Sequence, residues 1–425
     1  MKVTTSLENI KSFGGLNFVI AEFEALQLPS LITKLLGSRS LSCEYQYSDM
    51  VKSLWATFFA GGDCAEDLQL NLKAELQMVD NLKLPSADTV LRLQKDLATK
   101  KEFYNSNKNI SNEINTNLPL NELNINLLIQ TGQLKNGQYY DLDFDNQFIP
   151  CEKYDSKKSY KMKNGYFPGI ATIGRNIVYF ENRNGNSNVK FKQKDTLENT
   201  FKLLINNDIK IDRARMDCGS FTQEVIETVE NNCLKFYIRA QKCADLTTQI
   251  KQITTWNKVK IGDKMVEIAS MEYKPFKKEK SYRYVIQREA NKTGQTTIET
   301  GDNFIYRAII TNDLKLEAKA VIEYYNQRGA SEKIFDEMNN DFGWANLPFS
   351  FLEENTVFMI IMAMCRNFYL WLINKFAEKL EFVEKTFRLK KFIFRFIVVP
   401  YKWVKIAGKK TLKLFTDKDY KPILS

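Results

Sequence analysis

Tyr139-Tyr-Asp-Leu-Asp-Phe-Asp-Asn-Gln147 is the stretch that decides the fold, because its apolar and acidic residues alternate strictly. The alternation predicts a β-strand with Tyr140, Leu142 and Phe144 on one face and Asp141, Asp143 and Asp145 on the other. Three carboxylates along one face repel one another, so a cation or solvent must lie against them. A hard divalent cation such as Mg²⁺ binds carboxylate oxygens. The alternative is an edge strand whose acidic face is solvated.

The chain has 425 residues, with 61 Lys and Arg against 51 Asp and Glu, which gives a net charge of +10. This length predicts several domains rather than one core. The excess of positive charge points to a polyanionic partner, nucleic acid before a membrane surface, although it could also simply favour solubility.

The sequence contains no histidine and seven cysteines. Catalysis by Ser-His-Asp or Cys-His groups and zinc sites with His ligands are therefore excluded. The cysteines form no CxxC pair, so we expect reduced thiols and a cytoplasmic protein without a secretory signal. The most apolar run, 357–373, carries Arg366 and Asn367 in its middle and predicts a buried helix rather than a membrane span.

The first 125 residues predict a helical domain followed by a linker. Apolar residues recur at helical spacing in 21–36 and 48–59, and Ser86 or Asp88 can cap a further helix. Residues 101–125 are rich in Asn, Lys and Glu, which is typical of a loose connection. A compact helical module ahead of a catalytic core often binds DNA; the alternative is a packing domain without DNA contacts.

Residues 126–245 predict strand, strand, strand, helix, strand, helix, strand. The first strand ends in acids and the fourth runs into Asp217-Cys-Gly-Ser220. Ser220 with Gln223 is a possible capping box for the following helix. Carboxylates just past the C-terminal ends of strands are where α/β folds place their sites.

The remaining chain divides by composition. Residues 246–312 are β-rich and predict an insertion, and 313–378 return to helix as the second part of the core. Residues 379–425 form a basic C-terminal tail with interleaved aromatic residues, which suits a nucleic-acid backbone. An amphipathic helix on a membrane surface is the alternative for this tail.

Two groups of side chains add to the strand-end acids. Tyr325, Arg328 and Glu332 are spaced three and four apart, which puts them on one helix face, although many Arg–Glu pairs are simply exposed. Glu332 with two strand-end acids would make a three-carboxylate site for two divalent ions roughly 4 Å apart. Between strands, a loop that phosphates could contact (or that is merely solvated) carries Lys157, Lys158, Lys161 and Lys163.

The motifs, taken in order, resemble the DDE transposases of bacterial insertion sequences. The helical piece is similar to their Tyr-Arg-Glu-Lys signature, and the nearest group is the one numbered thirteen-eighty. The resemblance covers roughly residues 40 to 375 and rests on these segments: Leu142-Asp-Phe-Asp145, Glu152-Lys-Tyr-Asp155, Arg183-Asn-Gly-Asn186, Asp217-Cys-Gly-Ser220 and Tyr325-Asn-Gln-Arg-Gly329.

The resemblance implies an α/β fold: a ribonuclease-H-like mixed-sheet catalytic core with a β-rich insertion and an N-terminal helical domain. It implies cut-and-paste transposition by metal-dependent cleavage and strand transfer. Two Mg²⁺ ions, for which Mn²⁺ should substitute, would be held by Asp145 or Asp143, Asp217 and Glu332. Of the first pair, Asp145 is slightly favoured.

The implied partner is double-stranded DNA, both the terminal inverted repeats and the target DNA. The protein would bind it as a homodimer on the bacterial nucleoid, and no membrane is implied as a partner. Tyr325 and Arg328 would position phosphates beside the lysine loop. The sequence departs from the family pattern at Asn339, where the signature has Lys. Two alternatives remain: a catalytically inactive DNA-binding descendant and a nuclease of the same fold.

Overall fold

Residues 1–5, 7–105, 111–277, 280–291 and 303–424 are described by the structure, a computed structural model. The helices are α1 (Leu16–Ala25), α2 (Leu28–Leu36), α3 (Tyr47–Phe59), α4 (Ala65–Asp67), α5 (Lys73–Leu76), α6 (Ala87–Asp96), α7 (Leu118–Gln130), α8 (Gln193–Asn206), α9 (Gln223–Asn232), α10 (Ala244–Lys251), α11 (Ala318–Asn326), α12 (Ala330–Asp341), α13 (Leu352–Lys379) and α14 (Leu389–Phe392). Two π-helical turns, Leu68–Leu72 and Ile393–Ile397, extend α4 and α14.

The strands are β1 (Glu102–Asn105), β2 (Ser111–Asn115), β3 (Tyr139–Asn146), β4 (Ile149–Pro150), β5 (Lys157–Lys158), β6 (Asn164–Tyr166), β7 (Gly169–Ile173), β8 (Asn176–Arg183), β9 (Lys210–Met216), β10 (Lys235–Arg239), β11 (Asn257–Ile261), β12 (Lys264–Tyr273), β13 (Tyr282–Ala290), β14 (Phe304–Thr311), β15 (Tyr401–Ile406) and β16 (Lys409–Leu414). The order predicted for residues 126–245 is found as β3, β7, β8, α8, β9, α9 and β10, with three short strands, β4 to β6, that were not predicted between β3 and β7.

A large mixed sheet organises the protein, in the order β1-β2-β8-β7-β3-β9-β10-β14-β13-β12-β11. Its centre is parallel, because β3 pairs with β9 and β9 with β10 in the same direction. The β7–β8 hairpin pairs antiparallel with β3, and β14 pairs antiparallel with β10. The insertion 246–312 therefore continues the same sheet, and the acidic strand β3 lies in its interior rather than at an edge.

Helix α13 is the centre of the larger hydrophobic core. Trp55 on α3 donates its indole N–H to the carbonyl of Ile361 at 3.1 Å, which ties the N-terminal helices to α13. Asn367 donates to the Ile177 carbonyl at 2.8 Å and accepts from the Ile177 N–H at 3.1 Å, which ties α13 to the sheet. In the described part of the chain, α13 alone is long and apolar enough to cross a membrane, and 94% of its most apolar window is buried in the protein. The prediction of a buried helix is confirmed.

Residues 111–125 differ from the loose connection expected there. They form β2 and most of α7, whose asparagines are buried and bind backbone groups: Asn121 donates to the Phe180 carbonyl at 2.9 Å and Asn124 to that of Ile177 at 2.8 Å. The composition misled because these polar side chains substitute for backbone partners inside the protein. Residues 106–110 of the expected linker lie outside the described residues.

Two further local expectations differ from the structure. Ser220 is not a helix cap; it lies in the turn Cys218–Ser220, and Thr222 accepts the Val225 N–H at 3.3 Å as the cap of α9. The helix expected at the start of 313–378 is broken into α11 and α12 by a tight turn at Gln327–Gly329. The Tyr325-Arg328-Glu332 set therefore spans a break and not one continuous helix face.

The C-terminal 379–425 region folds back onto the N-terminal helices. Phe392, Phe396 and Tyr401 are completely buried, and the ring of Tyr420 stacks on Phe18 with centroids 5.4 Å apart. Most of the aromatic residues that alternate with lysines here are therefore core residues, which removes them as platforms for stacking bases.

Candidate functional site at the strand ends

Asp145 and Asp217 lie close to each other at the C-terminal ends of two central strands of the sheet. In the parallel pair β3–β9, Asp143 lies opposite Arg215 and Phe144 opposite Met216. Asp145 is the next residue on β3, and Asp217 is the residue directly after β9. The two carboxylates therefore leave the C-terminal ends of neighbouring parallel strands, as the sequence predicted.

Each acid of the β3 acidic face has its own arginine. The ion pairs are Asp141 with Arg213 (both contacts 2.8 Å), Asp143 with Arg215 (2.6 and 2.7 Å) and Asp145 with Arg328 (2.6 Å). The positive partner required by three aligned carboxylates is thus supplied by side chains, and the solvated-edge alternative does not hold.

Asp143 is held in a closed, buried pair. Its side chain is 7% exposed, and both carboxylate oxygens accept from Arg215, which also donates to the Tyr324 carbonyl at 2.8 Å. Burial raises the pKa of Asp143 above its ordinary value, and the charge of Arg215 opposes that rise. A bidentate guanidinium leaves this carboxylate little capacity to ligate a metal.

Arg213 and Arg215 pack against one aromatic ring. Their guanidinium carbons lie 4.3 and 4.5 Å from the ring centre of Tyr324 on α11. This stack fastens α11, and so the turn that carries Arg328, to strands β3 and β9. Sequence reasoning missed these arginines, although the alternation of Arg213 and Arg215 along a predicted strand was a signal that could have found them.

Asp145 is more open than Asp143, with 20% of its side chain exposed. Arg328 contacts one carboxylate oxygen at 2.6 Å, and the other accepts the backbone N–H of Asn146 at 2.9 Å. Burial raises the pKa of Asp145 and the neighbouring charge of Asp217 raises it further, whereas Arg328 acts against both. Because the charge of Asp217 acts on Asp145, we treat the two carboxylates as one electrostatic unit.

Asp217 and Tyr325 shape the turn after β9. Asp217 accepts the Gly219 N–H at 2.9 Å, which fixes its side chain at the start of the turn. Tyr325 is 5% exposed and donates its hydroxyl to the Met216 carbonyl at 3.2 Å. The guanidinium carbon of Arg239 lies 4.8 Å from the Tyr325 ring centre. Because Tyr325 is buried, its hydroxyl supports the turn after β9 from within the protein. The contact between Tyr325 and DNA phosphates, expected from the sequence, stays a prediction.

Glu332 lies in the first turn of α12 and is exposed. With the residues that the structure describes it makes no hydrogen bond or ion pair. Within that same part of the chain, the carboxylate oxygens of Asp145, Asp217 and Glu332 do not all lie within 4.8 Å of one another. The structure thus brings the two aspartates together and leaves Glu332 free on the following helix.

Another group of candidate ligands, Asp63, Cys64 and Asp67, does converge within 4.8 Å. Its contacts are those of a local cap, because Asp67 accepts the Asp63 N–H at 2.9 Å and the Asn71 amide at 2.6 Å. Burial raises the pKa of the Cys64 thiol to about 11. This group stabilises the start of α4.

The predicted lysine loop comes after β3 in the chain. It lies between β4 and β6 in the chain, and the Lys161 ammonium lies 5.7 Å from the ring centres of both Phe148 and Tyr160. Lys158, Lys161 and Lys163 are exposed. Lys157 on β5 is less open and lies 4.0 Å from Glu113. Three exposed lysines thus lie on a segment that follows the C-terminal end of β3 in the chain.

Asp145 and Asp217 offer carboxylate oxygens at this site, and Cys218, the residue after Asp217, carries an exposed free thiol. Two adjacent acids whose charges repel, balanced by a single arginine contact to one oxygen, fit a hard divalent cation.

Comparison with known proteins agrees with this type of site. The family described as Transposase DDE domain group 1 matches residues 1–425. Among solved structures, the chain is similar to a piggyBac transposase synaptic complex with hairpin DNA, determined by cryo-EM, at 12% identity and a TM-score of 0.43, covering 90% of this chain and 78% of that one. No curated protein sequence matches. Because the family match extends over the whole chain, the protein belongs to the DDE transposases, a family that acts on DNA with divalent metal ions.

Proposed function

We propose that this transposase cuts the ends of its own element and joins the freed 3′ ends to target DNA, with Asp145, Asp217 and Glu332 as its catalytic carboxylates. The observation that carries the proposal is the juxtaposition of Asp145 and Asp217 at the ends of two neighbouring parallel strands. The order of strands and helices around them supports a ribonuclease-H-like core. Membership in group thirteen-eighty belongs to the same proposal.

Asp145, not Asp143, is the first catalytic acid in this proposal. Both oxygens of Asp143 are occupied by Arg215 inside the protein, whereas Asp145 is partly exposed beside Asp217. The difference in exposure favours Asp145, because a metal ligand must reach both the ion and the substrate.

Asp145, Asp217 and Glu332 would hold two Mg²⁺ ions, for which Mn²⁺ should substitute. When bound, such ions activate an attacking water or 3′-hydroxyl and stabilise the leaving oxygen of a phosphodiester. The chain contributes position and charge: Tyr325 supports the turn that carries Asp217, and Asn146 and Gly219 orient the two aspartates through their N–H groups.

Arg328 has two possible partners. It neutralises Asp145 in the protein alone, and a guanidinium binds a phosphate as readily as a carboxylate. We infer that Arg328 exchanges the carboxylate for the DNA backbone when substrate binds. The exposed lysines 158, 161 and 163 would contact neighbouring phosphates.

The wider assembly follows from the reaction. Two ends joined in one complex require a homodimer on double-stranded DNA, with the N-terminal helices contributing to recognition of the inverted repeats. A location on the bacterial nucleoid is part of this proposal.

The test is strand cleavage and strand transfer on DNA carrying the element's ends, with Mg²⁺, for wild type and Glu332→Gln. The proposal expects wild type to cut and join, and the variant to bind the ends and do neither. If wild type binds and does not cut, the protein is an inactive DNA-binding descendant. If wild type cuts without joining, it is a nuclease of the same fold.

A further inference from the structure

The C-terminal hairpin β15–β16 is a two-stranded ribbon that is rich in lysine. Residues 401–414 contain five lysines and no acid. The register puts Lys402 opposite Lys413 and Lys405 opposite Lys410. Like charges directly opposite each other weaken a strand pair, so this ribbon carries a cost in stability that its own residues do not relieve.

The base of the ribbon is firmly attached. Tyr401 is buried and exchanges two backbone hydrogen bonds with Lys11, at 2.8 and 2.9 Å. Trp403 donates its indole N–H to the Met78 carbonyl at 2.8 Å. Two of the lysines have acidic partners here: Lys402 with Glu8 at 2.5 Å and Lys410 with Asp80 at 2.6 Å. The ribbon therefore leaves the body of the protein in a fixed direction.

The tip of the ribbon is open. Residues 405–410 are exposed, and Ile406 has 57% of its surface accessible. Ala407 and Gly408 both have positive φ, 50° and 75°, as a two-residue hairpin turn requires. Lys405 and Lys409 have no acidic partner among the described residues. Three of the five lysines, Lys405, Lys409 and Lys410, thus lie next to the turn, and of these Lys410 is held by Asp80.

We propose that this ribbon is a separate DNA-contact surface that enters the major groove of the duplex, an inference that rests on the proposed function because it takes DNA as the substrate. The major groove admits a two-stranded ribbon. Lysines on both strands would then face the phosphates on both walls of the groove, which relieves the repulsion between the paired lysines. A membrane surface suits the ribbon less, because Ile406 is its one strongly exposed apolar side chain.

The hairpin β11–β12 provides a matched control within the same chain. It also has exposed lysines near a tight turn, namely Lys258, Lys260 and Lys264. This hairpin contains acids, which the ribbon lacks: Asp263 lies in its turn, and Glu267, opposite Lys258, pairs with Arg288. The contrast between the two hairpins separates a built DNA contact from a general effect of positive charge.

The experiment measures the dissociation constant for a mixed-sequence duplex over a range of salt concentrations, without divalent metal. The two variants are Lys405→Gln/Lys409→Gln/Lys413→Gln in the ribbon and Lys258→Gln/Lys260→Gln/Lys264→Gln in the control hairpin. Each lost phosphate contact lowers the salt slope by about 0.9. We expect the ribbon variant to lose about two to three units of slope and the control variant to keep the wild-type slope.

Equal salt slopes for the two variants would overturn the proposal. So would wild type that binds anionic lipid vesicles more tightly than duplex DNA at the same salt, if the ribbon variant loses that vesicle binding. Thermal unfolding at the wild-type temperature checks that both variants are folded. This experiment measures binding without divalent metal, so its result does not depend on cleavage. Wild type that binds duplex DNA here with the full salt slope, but does not cut in the separate cleavage assay, would contradict the catalytic assignment alone. Wild type that does not bind duplex DNA would contradict both.

Discussion

Asp143 and Asp145 lie two residues apart on the same face of β3, yet they differ in exposure to solvent and in the element that supplies their arginine partner. Asp143 is paired within the sheet by Arg215, its neighbour in the strand register, and is closed to solvent. Asp145 is paired by Arg328, which comes from a turn 183 residues later in the chain, and lies beside Asp217. We propose that Asp143, whose counter-charge belongs to the same sheet, is structural, and that Asp145, whose counter-charge lies on a separate element, is available for chemistry.

The largest effect is expected from Asp145→Asn. Loss of a metal-ligating carboxylate removes several kcal/mol of transition-state stabilisation, so strand cleavage should fall by about a thousandfold or more. The fold should be retained, because the substitution also removes the repulsion between Asp145 and Asp217. Cleavage rates on end-bearing DNA check this, with circular dichroism as the control for folding. Near-normal cleavage by a folded Asp145→Asn variant would contradict the assignment of Asp145 as the catalytic acid of the two.

Arg215→Met should act on stability. It leaves Asp143 as a buried charge without its partner, which costs about 3 to 5 kcal/mol in free energy of unfolding. Urea unfolding measures this cost. The matched control is Arg213→Met, whose partner Asp141 is about a quarter exposed (29%) and should lose less than about 1 kcal/mol. Equal losses would show that burial of the pair is not what distinguishes Asp143.

Tyr325→Phe sharpens the comparison at the turn. The variant leaves the buried Met216 carbonyl without the tyrosine hydroxyl, at a cost of about 1 to 3 kcal/mol in unfolding free energy. If Tyr325 positions Asp217, cleavage at saturating DNA should fall while the affinity for DNA stays unchanged. The affinity is the discriminating measurement: weaker binding with normal cleavage of bound DNA would restore Tyr325 as a phosphate contact.

The smallest effect is expected at the lysine loop. Lys158→Gln/Lys163→Gln removes two exposed charges from this loop and should lower the salt slope of DNA binding by about 2. Cleavage of fully bound DNA should change little compared with its change in Asp145→Asn. An unchanged slope would identify the loop as merely solvated, the alternative that its sequence left open.

Much of the fold was accessible from local patterns. Period-two alternation in 139–147 identified β3. Asp217 was found because a polar turn follows an apolar strand, and Ser86 was found as the cap of α6. Each of these rests on neighbours within a few residues, which is the range over which composition and periodicity carry information.

The rest depends on contacts between distant segments. The arginine partners of Asp143 and Asp145 arise from strand register and from a turn beyond the insertion. Asn121 and Asn124 look like loop residues until their carbonyl partners on β8 are known. Phe392 and Phe396 alternate with basic residues as base-stacking aromatics would, but they fill a core that the N-terminal helices complete. Local sequence does not encode which distant surface a residue meets.

The most direct test of the central claim, that Asp145 binds the metal and Asp143 holds the structure, is Mn²⁺ binding measured by titration calorimetry. The proteins are wild type, Asp145→Asn and the double variant Asp143→Asn/Arg215→Gln, which replaces the buried ion pair by neutral groups of similar shape. The account predicts that Asp145→Asn loses Mn²⁺ binding and the double variant retains it. Retention of binding in Asp145→Asn together with its loss in a folded double variant would contradict the account.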